Sequence, residues 1–382
     1  MTDLNKASLR VLVACDKFKD SLTAPEACQA IADGILIPQP AASIDTCPIA
    51  DGGEGFTLAM VTALRGSLVS CDTIDALGRP ITANYGIADF GGGKLAILEM
   101  AEAAGLWRLD SAERNPAGAD TRGVGLMIRH AVENYKPDRI LVGIGGSATN
   151  DGGVGMAHAL GVRFLDPQGR PVPPRPDRLA DVARIDMDEQ LPLPEIVAAC
   201  DVTNPLLGPN GATAIFGPQK GVTPETAATI ESALAHLVER SGGFDNAAQP
   251  GAGAAGGLGF GLLHFCAATL APGFDIVAAA TDLPARIRAA DIVVTGEGSL
   301  DHQSLQGKGP AEIARLARKA SRPVVALAGH VDTAARQSGI FDHIIALDES
   351  GETLETCIRQ AAKLLRRAAA STPWQSLGNQ HA

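Results

Sequence analysis

The feature that most constrains this chain is a rhythm. A short run of β-branched and aliphatic residues is followed by a polar turn, often Gly-rich, that carries an acid, then by a segment of helical periodicity. Residues 10–15 lead into Asp16-Lys17-Phe18-Lys19-Asp20-Ser21. A helical stretch over 25–37 follows, with its proline early, where a missing N–H costs little. Residues 43–48 lead into Asp51-Gly52-Gly53-Glu54-Gly55 and a helix over 54–64. The same grammar returns later, with strands at 292–295, 324–328 and 344–347 and helices at 310–320 and 354–370. Residues from 371 onward read as a frayed tail. Strand-turn-helix repetition of this kind builds a parallel sheet covered by helices.

The middle of the chain has another grammar. Residues 68–72, 81–87 and 95–100 read as three short strands with turn signals between them. A helix at 123–135, a strand at 139–142, a proline-rich excursion at 166–178 and a strand at 196–200 follow. Helices are expected at 224–240 and 258–270. The expectation is an α/β protein. A flavodoxin-like, doubly wound parallel-sheet domain (residues 1–66 and 280–382) is interrupted by an inserted second α/β domain (67–279) with a mixed sheet.

Length and composition agree with that picture and exclude others. A chain of 382 residues is long for one core. It is 46% hydrophobic and only 4% aromatic, so its core is aliphatic. A net charge of −11 without a basic run excludes a nucleic-acid binder, since Lys363, Arg366 and Arg367 at helical spacing read as a solvated helix face. No apolar run reaches the length of a membrane helix. Seven scattered cysteines with no CxxC pair point to reduced thiols, hence a cytoplasmic protein. A monomer or a homodimer is expected.

The polar turns carry the chemistry. Besides the two above, they are residues 145–153 (Gly145-Gly146-Ser147-Ala148-Thr149-Asn150-Asp151-Gly152-Gly153), Asp201-Val202-Thr203-Asn204-Pro205, and 295–301 (Thr295-Gly296-Glu297-Gly298-Ser299-Leu300-Asp301). A sixth segment, Gly217-Pro218-Gln219-Lys220-Gly221, has no clear strand before it. Gly-rich turns let backbone N–H groups approach an anion. Carboxylates beside such cradles suit Mg²⁺ and general-base work. Helix capping and turn formation explain any one of these turns alone; recurrence after strand after strand is harder to explain that way.

Two dinucleotide-type patterns compete. Gly251 to Gly256 fits GxGxxG but follows no strand, so close helix contact is the better reading. Gly143 to Ala148 fits GxGxxA after a strand, with Asp166 further on, which keeps an NAD-dependent hydroxy-acid oxidoreductase as the alternative. No Walker A spacing is present, and Lys308 before Pro310 reads equally as a phosphate cradle and as a solvated loop lysine.

Together the segments DKFKDSL (16–22), ADGGEG (50–55), GIGGSATNDGGVG (143–155), ACDVTNP (199–205), FGPQKG (216–221), PGAGAAGGLG (250–259) and TGEGSLDHQSLQGK (295–308) resemble the glycerate kinase type I family of bacteria. Lys17 stands where that family usually has Ser, and Ser299 where Arg is common; a phosphate role for that Arg would pass here to Lys308 or Lys220. The resemblance implies ATP-dependent phosphorylation of D-glycerate, typically at the 2-hydroxyl, with Mg²⁺, in glyoxylate or sugar-acid breakdown. On that reading Asp201 is the expected general base, with Asp51 second or a Mg²⁺ ligand. Lys19 joins the catalytic set. Gly145, Gly146, Ser147, Asn150 and Lys308 are expected to hold phosphates. Asp16, Ser21, Asn204 and Lys220 are expected to hold substrate, and Glu297 and Asp301 the metal.

Overall fold

The computed structural model describes residues 8–302, 304–306 and 309–378. Its strands are β1 (Arg10–Cys15), β2 (Ser43–Thr46), β3 (Ser67–Ile74), β4 (Pro80–Phe90), β5 (Gly93–Glu99) and β6 (Arg139–Gly143). They continue with β7 (Arg163–Leu165), β8 (Arg184–Asp186), β9 (Glu195–Ala199), β10 (Thr269–Ala271), β11 (Ile292–Leu300), β12 (Val324–Val331) and β13 (His343–Ala346). The described residues fall into two compact units, one from 1–51, 58–65 and 274–382, the other from 52–57 and 66–273.

In the first unit five parallel strands lie in the order β2-β1-β11-β12-β13. Counted within this unit that is 2-1-3-4-5, the flavodoxin-like order. Strand β1 is buried from Val11 to Cys15, as a central parallel strand with both faces covered must be. The helix Ala24–Ile35 starts at a capping box, in which Thr23 and Glu26 satisfy each other's free N–H groups. It buries Cys28, Ile31 and Ile35 against β1 and β11 residues such as Val13 and Val294.

Four expectations in this unit need correction. Strand β11 does not stop at Thr295 but runs on to Leu300, pairing Ser299 with His330. Gly296 reads as a turn residue, yet it sits where any Cβ would strike the Leu327 carbonyl, so it serves close strand contact. The helix expected over 354–370 is two helices, Leu354–Arg359 and Ala361–Ser371, broken at Gln360. The expected frayed tail holds Trp374, which is fully buried and donates its indole N–H to Ala369 O at 2.8 Å. An aromatic of that size is a large apolar anchor, and sequence position alone hid it.

The second unit has a six-stranded mixed sheet, β10-β9-β6-β5-β4-β3. Strands β3, β4 and β5 form an antiparallel meander, and β5, β6, β9 and β10 run parallel. Helix Arg122–Tyr135 packs Val124, Met127 and Ile128 into one core with Val142, Leu234 and Phe260. The helix expected over 258–270 ends earlier, at Cys266, and follows a left-handed stretch at Ala255, Gly256 and Gly257, while Thr269–Ala271 is a strand. No helix among the described residues is long and apolar enough to cross a membrane. All seven cysteines are free thiols.

Candidate active site

In each unit the polar turns sit at the carboxyl ends of parallel strands, where ligands of open α/β sheets gather. In the first unit β1 ends at Cys15, so Asp16 leaves the sheet edge, its own N–H donating to Gly296 O at 2.9 Å. Its carboxyl is 9% exposed and accepts the Lys17 N–H at 2.6 Å. Burial pushes Asp16 up to about 7, the Asp51 carboxylate adds to the shift, the Lys17 N–H and charge oppose it, and Glu297 adds a smaller push. The structure thus brings Asp16, Asp51 and Glu297 into one mutually repelling cluster.

The other residues of this unit sit around that cluster or apart from it. Lys19 is exposed in a tight turn in which Ser21 and Leu22 donate to Phe18 O. The Ser21 hydroxyl donates to Ile358 O at 2.6 Å, a link to a helix of the same unit. Asp301 Oδ1 accepts from the Ser304 N–H at 3.0 Å and its hydroxyl at 3.3 Å, the geometry of a turn cap. Lys308 lies outside the described residues.

The second unit gathers a different chemistry. Glu99 ends β5 and is nearly fully buried, and its two oxygens accept the N–H groups of Gly55 (2.9 Å) and Thr57 (2.7 Å). That pins the turn after Asp51. Gly145 donates its N–H to Gly52 O at 3.2 Å, so the 52–57 and 145–150 turns lie side by side. Within the second turn Leu106 donates to Gly146 O and Ala148 to Ala104 O, which clamps the loop on both flanks of Ser147. Among the described residues the amides of Gly146 and Ser147 themselves donate to no protein acceptor. Two open donors on a clamped turn are the raw material of an anion cradle.

Behind this turn lies Lys220, 1% exposed. Its Nζ donates to Ser147 Oγ at 2.7 Å and Thr149 O at 2.8 Å. Burial pushes the ammonium down to about 7, opposed by the Asp151 charge. Asn150 is fully buried and donates to Thr213 Oγ1 at 3.1 Å. Its Oδ1, and Thr149 Oγ1 beside it, are buried without a hydrogen-bond partner among the described residues. Asp151 accepts from the Thr121 N–H and hydroxyl and from the Gly153 and Gly155 N–H groups, at 2.8 to 3.1 Å, so it braces the loop from within. The Gly-rich segment from Gly251 presses on the same loop. Gly256 has φ +68, its carbonyl accepts the Gly152 N–H, and a Cβ there would collide with Thr149 O. Close contact, not dinucleotide binding, explains that motif.

Asp201 and Asn204 follow β9. Asp201 Oδ1 accepts the Gly273 N–H at 2.8 Å, and Asn204 donates to Asn210 O at 2.8 Å. Asp166, the acid of the dinucleotide alternative, accepts from the Gln168 and Arg170 N–H groups and pairs with the Arg170 side chain, closing a surface turn. No helix starts directly after Gly143–Ala148; the next begins at Val154. The oxidoreductase alternative is not favoured. Among the described residues no three His, Cys, Asp or Glu side chains are grouped to hold a metal ion by themselves.

Sequence reasoning missed Glu99. Its signal was present, an acid directly after a buried strand, as Asp16 is after β1. It named Lys220 as an anion-holding lysine, but nothing in the Gly-Pro turn marks that side chain as buried.

Comparison with known proteins places this geometry. Residues 11–373 match the model of the glycerate kinase family. Glycerate kinase of Bacillus subtilis is 40% identical over 94% of this chain and 96% of its own. Glycerate 2-kinase of Escherichia coli is 38% identical over 94% and 96%. A crystal structure of a candidate glycerate kinase 2 from Salmonella typhimurium LT2 superposes with a TM-score of 0.86 at 36% identity, over 98% of this chain and all of that one.

Proposed function

Given that the chain belongs to the glycerate kinase family, we propose that it transfers the γ-phosphoryl group of ATP to the 2-hydroxyl of D-glycerate, giving 2-phosphoglycerate. The observations that support this reading are two chemistries on strand ends, one within each unit. A clamped turn with open amides at Gly146 and Ser147 suits phosphate. A carboxylate cluster at Asp16, Asp51 and Glu297 suits proton and cation work. Phosphoryl transfer asks for positioning and charge neutralisation more than covalent chemistry.

A secondary hydroxyl needs a proton acceptor within reach. Asp16 is the best prepared carboxylate, because a group held near 7 is a stronger base than an ordinary carboxylate yet half-ionised at neutral pH. Asp201, which sequence alone favours for that role, lends one oxygen to Gly273, so we assign it with Asn204 to orienting the acceptor. Lys19, exposed beside the cluster's turn, is assigned to neutralising phosphate or the glycerate carboxylate. Ser21 is left a supporting role, since its hydroxyl already holds Ile358 O.

The donor set around Asp16 fits Mg²⁺. Mg²⁺ prefers oxygen and commonly takes only one or two carboxylates, with phosphates and water completing its shell. Asp51 and Glu297 would hold it, and it would supply charge neutralisation on the β- and γ-phosphates. Asp301 fits less well, being engaged with Ser304.

The test is ADP release from MgATP with D-glycerate, L-glycerate, glycolate and tartronate offered separately. D-Glycerate should be turned over far faster than the rest. Equal rates with glycolate would refute glycerate as the substrate.

A further inference from the structure

Lys220 belongs to a segment, Phe216–Gly221, that the reaction as drawn above does not use. It is among the largest fully buried side chains of the molecule, in the company of Trp374 and Tyr85. A lysine is almost never buried without a partner of opposite charge. Here the two partners are neutral oxygens, Ser147 Oγ and Thr149 O. An ammonium carries three donors, and two are engaged. The amides of Gly146 and Ser147, on the turn that Lys220 supports, are open.

The charged groups around Lys220 do not complete it. Asp151 is the acid whose field reaches it, but that carboxylate already accepts four hydrogen bonds and is itself raised to about 6, by burial first and then by Asp120. Arg114 donates to the carbonyl of the neighbouring Gln219 at 3.0 Å, adding a like charge nearby. Helix Ala212–Phe216, which leads into the turn, carries no charged residue. What the arrangement lacks is a full negative charge in front of the turn.

We propose that Lys220 is the proton-linked counter-charge of an oxyanion site on the Gly145–Asn150 turn, so that binding an oxyanion at the open Gly146 and Ser147 amides draws a proton onto Nζ. Lys220 does not touch the ligand; it acts through the turn it braces and through its field. The inference rests on the kinase reading only for the source of the oxyanion, an ATP phosphate or the glycerate carboxylate.

The sign follows from burial. The free protein holds Lys220 near 7, so at pH 8 it is mostly neutral. An anion favours the ammonium, so binding at pH 8 takes up roughly 0.5–0.9 proton per site, and at pH 6 almost none. Affinity for the oxyanion falls about ten-fold between pH 7 and 8.5.

The experiment is calorimetric titration of the whole protein at pH 8, with ADP and with D-glycerate separately, in buffers of different ionisation enthalpy. Proton uptake with ADP assigns the turn to phosphate, and uptake with D-glycerate assigns it to the acceptor carboxylate. Lys220→Arg, which keeps a permanent charge, should bind without uptake and without the alkaline loss of affinity. Because that variant can misfold, ¹³Cε-lysine NMR of the unmodified protein is the second measurement. One lysine should titrate near 7 and move up on binding. Binding of both ligands without proton exchange overturns the inference and leaves the kinase reading standing. So does uptake that survives in Lys220→Arg, or the absence of any lysine titrating below 9.

Discussion

The two units solve the same problem with opposite charges. In the first, a buried acid, Asp16, sits among other acids, and its carboxyl is driven up to about 7. In the second, a buried base, Lys220, sits among neutral oxygens, and its ammonium is driven down to about the same value. Asp16 lies on a turn that a parallel strand delivers, and Lys220 braces another such turn from behind. Desolvation is the first cause in each case. One environment waits for a cation or a proton and the other for an anion, and a kinase needs both. Neither arrangement favours stability, which is what a site held ready for ligands looks like.

The largest effect should come from removing divalent metal. Without Mg²⁺ or Mn²⁺, phosphorylation of D-glycerate should stop altogether, because the acidic cluster then faces ATP uncompensated. Full activity in excess EDTA would break the account of the first unit.

Next in size is Asp16→Asn. Losing the proton acceptor should lower kcat by roughly 10²–10⁴-fold with the fold intact. Asp201→Asn should cost only about 10-fold, through poorer orientation of the acceptor. If the order is reversed, the base is Asp201 and the Asp16 cluster serves the metal alone. Asp166→Asn should do little, and a large effect there would revive the oxidoreductase reading.

A smaller effect separates the two environments by stability. Asp16 has a folded pKa raised above the ordinary carboxylate value, so it costs stability increasingly as pH rises from about 4 to about 7. Asp16→Asn should therefore stabilise the protein at pH 8, by on the order of 4 kcal/mol, with the gain gone near pH 4. Lys220 has the opposite slope. Its folded value lies below the unfolded 10.5, so the unfolded chain binds more protons and stability rises between about pH 7 and 10. Chemical denaturation of the unmodified protein, Asp16→Asn and Lys220→Arg from about pH 4 to about pH 10 measures both slopes. Parallel curves for all three would show that neither group is buried as described.

Much of this was legible in the sequence because strand ends mark themselves. An apolar run followed by a polar turn with an acid announced Asp16, the 145–153 turn, Asp201 and Glu297, and the split α/β grammar announced two kinds of sheet. What stayed hidden depends on burial, which sequence position does not print. Lys220 reads as an anion-holding lysine, and only the structure shows its Nζ buried on Ser147. Asp301 reads as a metal ligand, and the sequence does not show that its carboxylate also accepts from Ser304. Trp374 reads as tail until its indole is found in the core. Gly296 misled, since it reads as a turn residue but permits backbone to meet backbone, whereas Gly256 makes the close contact its motif suggested.

The central claim is phosphorylation of D-glycerate at the 2-hydroxyl, and enolase tests it most directly. With MgATP, D-glycerate and enolase alone, phosphoenolpyruvate absorbance should rise at once, since 2-phosphoglycerate is dehydrated without further conversion. A signal that appears only after phosphoglycerate mutase is added would contradict the regiochemistry. No signal even with mutase would contradict the kinase itself.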